Sequence, residues 1–288
     1  MQRNRRFATW AGTGLGILLA LALNAALAHA SDDDDAVARD EFHQTYPLAA
    51  NGRIELENIN GSVHISVWDQ NQVKVDAVKR AGDDERLKNI EIRINAHPDS
   101  ISISTHYRDQ EDGWHNHHNP GSVEYTLTVP RNAHLDEIKL INGGLDVSGV
   151  TGEVRASCIN GKLVAKGLAG RAKLATINGR LSAEFGQLTN PVELSSVNGS
   201  VHLILPSDAK ASIEASTVHG GIENDFGLHT NDHRWVGHDM RGELAGGGAE
   251  IRLSNVNGSI EVRHAGDGRA LSPAKDTGER DRDDDNDI

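Results

Sequence analysis

The chain has 288 residues with 29 basic and 42 acidic side chains, a formal charge of −13, which makes nucleic acid and anionic membrane surfaces poor partners. Its one cysteine, Cys158, excludes an intramolecular disulfide, so stability has to come from packing and backbone pairing.

Residues 1–30 read as a secretory signal. Arg3, Arg5 and Arg6 form a basic start, an apolar stretch runs from Ala11 to Leu27, and Ala28-His29-Ala30 offers an A-x-A cleavage site. Phe7 follows the Arg5-Arg6 pair directly, outside a strong twin-arginine consensus, so Sec export is expected. Gly12, Gly14, Gly16 and Asn24 interrupt the stretch and Asp32 to Asp35 come after it, which argues for a removed leader over a membrane span. A mature chain starting near Ser31 loses three arginines and no acids, so its formal charge becomes −16. No membrane span is expected in it, and its expected location is the periplasm or the cell surface.

Residues 31–46 are acidic and polar and are expected to be disordered. From 47 to 130, strand-like runs of irregular spacing, such as Val63 to Val67, Ile90 to Ile94 and Val123 to Val129, are expected to form an N-terminal β region that caps the C-terminal repeats. Within it, Trp114-His115-Asn116-His117-His118 is a histidine cluster between Asp112-Gly113 and Asn119-Pro120, turn chemistry that suggests a loop.

From 131 to 264 one signature dominates: two alternating aliphatic stretches around Ile/Val-Asn-Gly. It occurs at Asn142-Gly143, Asn160-Gly161, Asn178-Gly179, Asn198-Gly199 and Asn257-Gly258, and earlier at Asn60-Gly61. His219-Gly220 keeps the frame with His in the Asn slot. From Gly143 the glycine-to-glycine steps are 18, 18, 20, 21 and 38, the last close to two repeats. Residues 224–248 lack the alternation and are expected to be an irregular insertion, and 265–288 an acidic disordered tail.

Asn-Gly between strands is ordinarily a hairpin signal. A two-residue hairpin would set Ile159 opposite Lys162 and Ile177 opposite Arg180, leaving the aliphatic residue in solvent at every repeat. A solenoid corner at which Ile or Val turns inward, with Asn and Gly in left-handed conformations, avoids that. The expected fold is therefore all-β, a β-solenoid of short Ile/Val-Asn-Gly coils with an N-terminal β-rich cap. One coil buries too little apolar surface to order its own backbone, so coils must stack. Asparagines at equivalent corners could then bond into a ladder.

Val129-Pro130-Arg131-Asn132-Ala133-His134-Leu135 together with the successive Val/Ile-Asn-Gly coils resembles the bacterial adhesin-like β-strand-repeat family, a domain of unknown function found in exported envelope proteins. The resemblance spans about Ile54 to Val262. It implies the architecture and an envelope location, with a link to envelope stress in some members, and it supplies no catalytic motif.

His115, His117 and His118 are the candidate metal ligands, since three close imidazoles can bind Zn²⁺, Cu²⁺ or Ni²⁺. His229, His233 and His238, near Asp232 and Asp239, form a second group. Cys158 stands where other repeats carry Thr176, Ser196 or Thr217, which suits a small structural residue better than a nucleophile. Asp146, Glu153, Glu184 and Glu193 do not recur in register as a glycan-cleaving face would require. The function expected is thus a non-enzymatic adhesin-like or cell-envelope binding scaffold, with no cofactor and an unidentified envelope glycan or protein as partner. The alternatives are a glycan-active β-helix enzyme and a His-loop metal-binding module.

Overall fold

The computed structural model describes residues 38–108, 121–232 and 237–277. The leader, the His115–His118 cluster and the end of the acidic tail lie outside them.

The elements in chain order begin with β1 (Ala38–Pro47), β2 (Arg53–Asn60), β3 (Val63–Trp68), β4 (Gln72–Ala81) and a six-residue helix, α1 (Asp84–Asn89), capped by the Asp83 side chain. Next come β5 (Ile90–His97), β6 (Ser100–Tyr107), β7 (Ser122–Pro130), β8 (His134–Asn142), β9 (Leu145–Ser148), β10 (Val154–Asn160) and β11 (Leu163–Leu168). Then come β12 (Ala172–Asn178), β13 (Leu181–Phe185), β14 (Val192–Asn198), β15 (Val201–Leu205), β16 (Ala211–His219) and β17 (Ile222–Asn224). The last are β18 (Thr230–Asp232), β19 (His238–Leu244), β20 (Ala249–Asn257), β21 (Ile260–His264) and β22 (Ala274–Asp276).

The architecture is nearly all β and solenoid-like, with two large, mostly parallel sheets. One has ten strands in the order β1-β4-β7-β3-β9-β11-β13-β15-β21-β17; the other has twelve, β18-β19-β16-β20-β14-β12-β10-β8-β2-β6-β5, with β22 on β19. Each signature contributes one strand to each sheet: β10 pairs in parallel with β8 and β12 while β11 pairs with β9 and β13. Inward residues of both sheets, such as Leu163, Leu174, Leu194, Leu203 and Leu253, form one core. No adjacent hairpin could produce this pairing, because parallel neighbours need a full return of the chain.

Pro130 ends β7 and Pro206 directly follows β15, and the carbonyl of each accepts the amide of the alanine three residues on, Ala133 and Ala209, at 3.0 Å. The return path to the next unit is thereby set by the same turn twice, with both alanines buried.

Four segments differ from the sequence expectation. Part of 31–46 is ordered as β1, which pairs antiparallel with β4 over its whole length, Ala38↔Ala81 to Pro47↔Gln72; a neighbouring strand edge supplies the pairing that composition does not show. β2 and β3 stack directly on β8 and β9, so parallel stacking starts before residue 131. Residues 224–248 contain β18 and β19, and β19 pairs antiparallel with β16. In the tail, β22 pairs with β19, and Ser272 is buried, donating to the Ala209 carbonyl at 2.6 Å.

The spatial order of units also departs from chain order. β20 pairs with β14 on one side and β16 on the other, and β21 sits between β15 and β17. The last unit is thus inserted between two that precede it in sequence. The 38-residue glycine step is the path out through β17, β18 and β19 and back.

Candidate functional site

Strand alternation decides what the twelve-stranded sheet presents outward. In β10, Val154, Ala156 and Cys158 are buried while Arg155 and Ile159 are exposed, and β12, β14 and β20 repeat the pattern. In-register pairing then places like positions beside one another. Three lanes result. The first is charged, with Glu137, Arg155, Lys173, Glu193, Arg252 and Glu214. The second is small on five strands, with Ser157, Ala175, Ser195, Ser254 and Ser216, and continues on β8 and β2 as the paired charges Lys139 and Glu57. The third is aliphatic: Ile59, Ile141, Ile159, Ile177, Val197, Val256 and Val218.

Six of the seven aliphatic side chains are 39–43% exposed; Ile59, at the end beside β6, is half-buried. At about 4.8 Å per strand the stripe is ~29 Å long. The inward turn of Ile or Val expected at the corner is therefore corrected. Alternation continues unbroken through Ile159, and the phase is reset only across Asn160-Gly161-Lys162, since Leu163 is again buried. The sequence contains the signal for this: Ala172, Leu174 and Thr176 as core positions put Ile177 on the opposite face.

The corner next to the stripe forms two ladders. Asn257, Asn198, Asn178, Asn160 and Asn142 each donate Nδ2 to Oδ1 of the next asparagine, ending on Asn60, at 2.8–2.9 Å. His219 stands in register with Asn257 at the far end. Backbone bonds continue through the corner: the amide of Gly161 donates to the Asn178 carbonyl, and that of Gly143 to Asn160, both at 3.0 Å. The asparagines do not take positive φ; among the described residues Ala245 alone does so without being glycine. Glycine is required because units approach so closely: a Cβ on Gly161 would lie 2.0 Å from the Gly143 carbonyl oxygen.

Two residues before each Asn, the side chain lies inside the corner. Asn58 donates to the Gly61 and Val123 carbonyls at 3.0 and 2.8 Å and accepts from Thr105, which bonds Tyr125 in turn. Thr217 and Asn255 likewise reach the Gly258 and Gly199 carbonyls. Cys158 occupies this position in its unit; burial pushes its thiol up to about 12, so it is held protonated as a packing group.

Two grooves open on the same face. One of about 490 Å³ runs over Ile59, Ile141 and Ile159, with Tyr107, Glu57 and Lys139 at its walls. The other, about 840 Å³, runs along the charged lane over Arg155, Lys173, Glu193 and Arg252 towards Arg241 and Glu243. Its charges are largely paired: Lys173–Glu193 at 3.0 Å, Arg155–Glu153 at 2.8 Å, and Glu214 between Arg241 and Arg252.

The ten-stranded sheet carries a twice-used Gly-Ser-Val-His motif that sequence reasoning passed over. His64 lies 3.2 Å from Asp146 on the adjacent strand. His202 has Nδ1 3.2 Å from Glu261 and Nε2 2.9 Å from the Ser200 hydroxyl. The second is a Ser-His-Glu relay by distance. The flanking amides of Gly199 and Val201 are both spent on cross-strand carbonyls, Asn257 and Ser259, so they are not free to stabilise an oxyanion there.

Of the residues expected to bind metal, His115, His117, His118 and His233 lie outside the described residues. His229 donates its amide to Asp276 at 2.8 Å, and His238 stands opposite Asp232 in the β18–β19 pair. Among the described residues no group of three His, Cys, Asp or Glu side chains is placed to hold a metal ion. Asp146 and Glu184 belong to one sheet and Glu153 and Glu193 lie on the other. Among the described residues no helix is long and apolar enough to cross a membrane.

Residues 51–263, from just before β2 into β21, match the family described as Toastrack DUF4097. The chain belongs to the Toastrack DUF4097 family. The resemblance carried by Val129 to Leu135 and the repeated Asn-Gly units is to this domain of unknown function. In this Toastrack chain, β1 and β22 fall outside the matched span. No curated protein matches the chain. Among solved structures, the "putative cell adhesion protein" of Clostridium sporogenes is 13% identical, with 78% of this chain and 100% of that one covered and a TM-score of 0.47. The "putative adhesin" of Bacteroides fragilis is 13% identical, covering 78% and 97%, with a TM-score of 0.30. That of Parabacteroides distasonis is 11% identical over the same shares, with a TM-score of 0.27. Similarity this distant says nothing of ligand or partner.

Proposed function

We propose that this Toastrack chain is a non-enzymatic, adhesin-like binding scaffold of the cell envelope, and that the outer face of its twelve-stranded sheet is the contact surface. The observation that carries the reading is the stripe of exposed Ile and Val side chains held in register on a rigid sheet. Contiguous apolar surface of this kind is uncommon on a protein that meets only water and marks an interaction site. Repeat architectures bind through such extended faces. In this reading each Ile/Val-Asn-Gly unit is one coil, the antiparallel strands β1, β4 and β5 cap the N-terminal end, and the leader exports the protein to the periplasm or surface. The adhesin-like reading follows from the family resemblance; its support in this chain is the exposed face.

The test is capture of solubilised envelope fractions, and of the chain itself, on immobilised protein, comparing wild type with a triple variant, Ile159→Ser, Ile177→Ser and Val197→Ser. Saturable capture that falls at least tenfold in the variant is expected. Equal capture by both proteins would overturn the assignment of the face. Loss of capture on adding chelator would favour metal dependence through the His115, His117 and His118 cluster, and shortening of glycans during incubation would make the protein an enzyme.

A further inference from the structure

We infer that the occupant of this face is a second copy of the same chain, which makes the adhesion homotypic. The inference rests on the proposed contact surface and names its partner. The seven aliphatic residues lie on β2, β8, β10, β12, β14, β20 and β16, so Ile177 on β12 is the central one, with three neighbours on each side. Ile177 is also the most exposed of the six. Beside it the small lane is smallest, because Ala175 stands where the flanking strands carry Ser157 and Ser195.

A two-fold axis over β12, parallel to its strand direction, pairs the face with itself as an isologous interface requires. Ile177 then meets Ile177, Ile159 meets Val197, Ile141 meets Val256 and Ile59 meets Val218. The same operation sets Arg155 of one copy opposite Glu193 of the other, and Glu137 opposite Arg252. Lys173 meets its own counterpart on the axis, a like-charge contact offset in each copy by its own Glu193, 3.0 Å from Lys173 on the neighbouring strand. At the outer ends Glu55 faces Glu214, whose charge is held by Arg241 and Arg252. Three lanes at two residues per lane make a face about 20 Å wide and ~29 Å long. Two such faces bury roughly 1,000 Å², the lower end of specific interfaces. The complex is therefore weak and concentration-dependent, as suits contact between proteins displayed in many copies.

Sedimentation equilibrium of the protein expressed from its full-length sequence, over a concentration series, tests this. A monomer–dimer equilibrium is expected. Ile177→Arg should weaken it about 100-fold, Arg155→Glu and Glu193→Arg should each weaken it about tenfold, and the double variant should return to within about threefold of wild type. Ile177 is exposed, so circular dichroism should show the Arg variant folded; the charge swap stands independently of that variant. A protein monomeric at all concentrations, a dimer indifferent to Ile177→Arg, or a double variant no tighter than the singles overturns the homotypic pairing. If a monomeric wild type still captures envelope material and Ile177→Arg abolishes that capture, the surface stands and the partner is a different molecule. If Ile177→Arg changes neither property, both readings fall.

Discussion

Gly161→Ala probes the closest backbone approach in the stack. Its Cβ would lie 2.0 Å from the carbonyl oxygen of Gly143 and 2.6 Å from the carbonyl carbon, at φ +155°. Neither backbone can retreat freely, because the Gly143 amide is bonded to Asn160 and the Gly161 amide to Asn178, both at 3.0 Å. Overpacking costs about 1–3 kcal/mol, and loosening one corner hydrogen bond adds about 1 kcal/mol. A loss of about 3 kcal/mol is expected. Gly186 serves as the control: nothing lies within 4 Å of its Cβ position and its φ is not positive. Gly186→Ala should be neutral or stabilise by about 0.4–1 kcal/mol through the unfolded chain. Urea unfolding monitored by circular dichroism, with slopes compared, separates a change in stability from a change in cooperativity. If the two variants unfold within about 0.5 kcal/mol of each other, close stacking is not the reason for glycine at the corners.

Removing one rung of the amide ladder, Asn178→Ala, deletes the bonds to Asn160 and from Asn198; because both are exposed, a loss of about 1 kcal/mol is expected in the same unfolding assay. The Cys158 thiol, raised to about 12 by burial, should resist a thiol reagent at pH 8 in the folded protein and react on unfolding; rapid native labelling would contradict its packing role. His43 is raised above its ordinary 6.5, first by its hydrogen bond to Asp76 and then by Glu41. A raised folded value means the stabilisation is complete below pH 6.5 and is lost as pH climbs through the raised value. Amides of β1 should therefore exchange faster above that pH, after correction for intrinsic rates, and His43→Gln should remove the dependence.

The family resemblance and the positions of the repeated Asn-Gly steps were legible, because Asn-Gly recurs at nearly constant spacing and alternation is local; the conformation at those steps was not, since Ile177 stays outward and the asparagines keep negative φ. The candidate face was legible in principle. Placing Ile177 inward assumed that an aliphatic residue at every repeat serves the core, when the period-two pattern already assigned it outward. The Gly-Ser-Val-His pairs are not legible along the chain because their carboxylates come from other strands, Asp146 for His64 and Glu261 for His202. A single strand gives no sign of a cross-strand partner.

By itself the sequence determined what depends on neighbours along the chain: strands that alternate, and Asn-Gly or His-Gly steps that recur between them. The tertiary structure decided what depends on neighbours across it. It placed β20 and β21 between β14/β15 and β16/β17, ordered β1 on the edge of β4, and aligned seven residues into one apolar stripe. Parallel strands of nearly equal pattern carry no local mark of their order; here the chain leaves through β18 and β19, with β19 pairing antiparallel to β16, before β20 returns between β14 and β16.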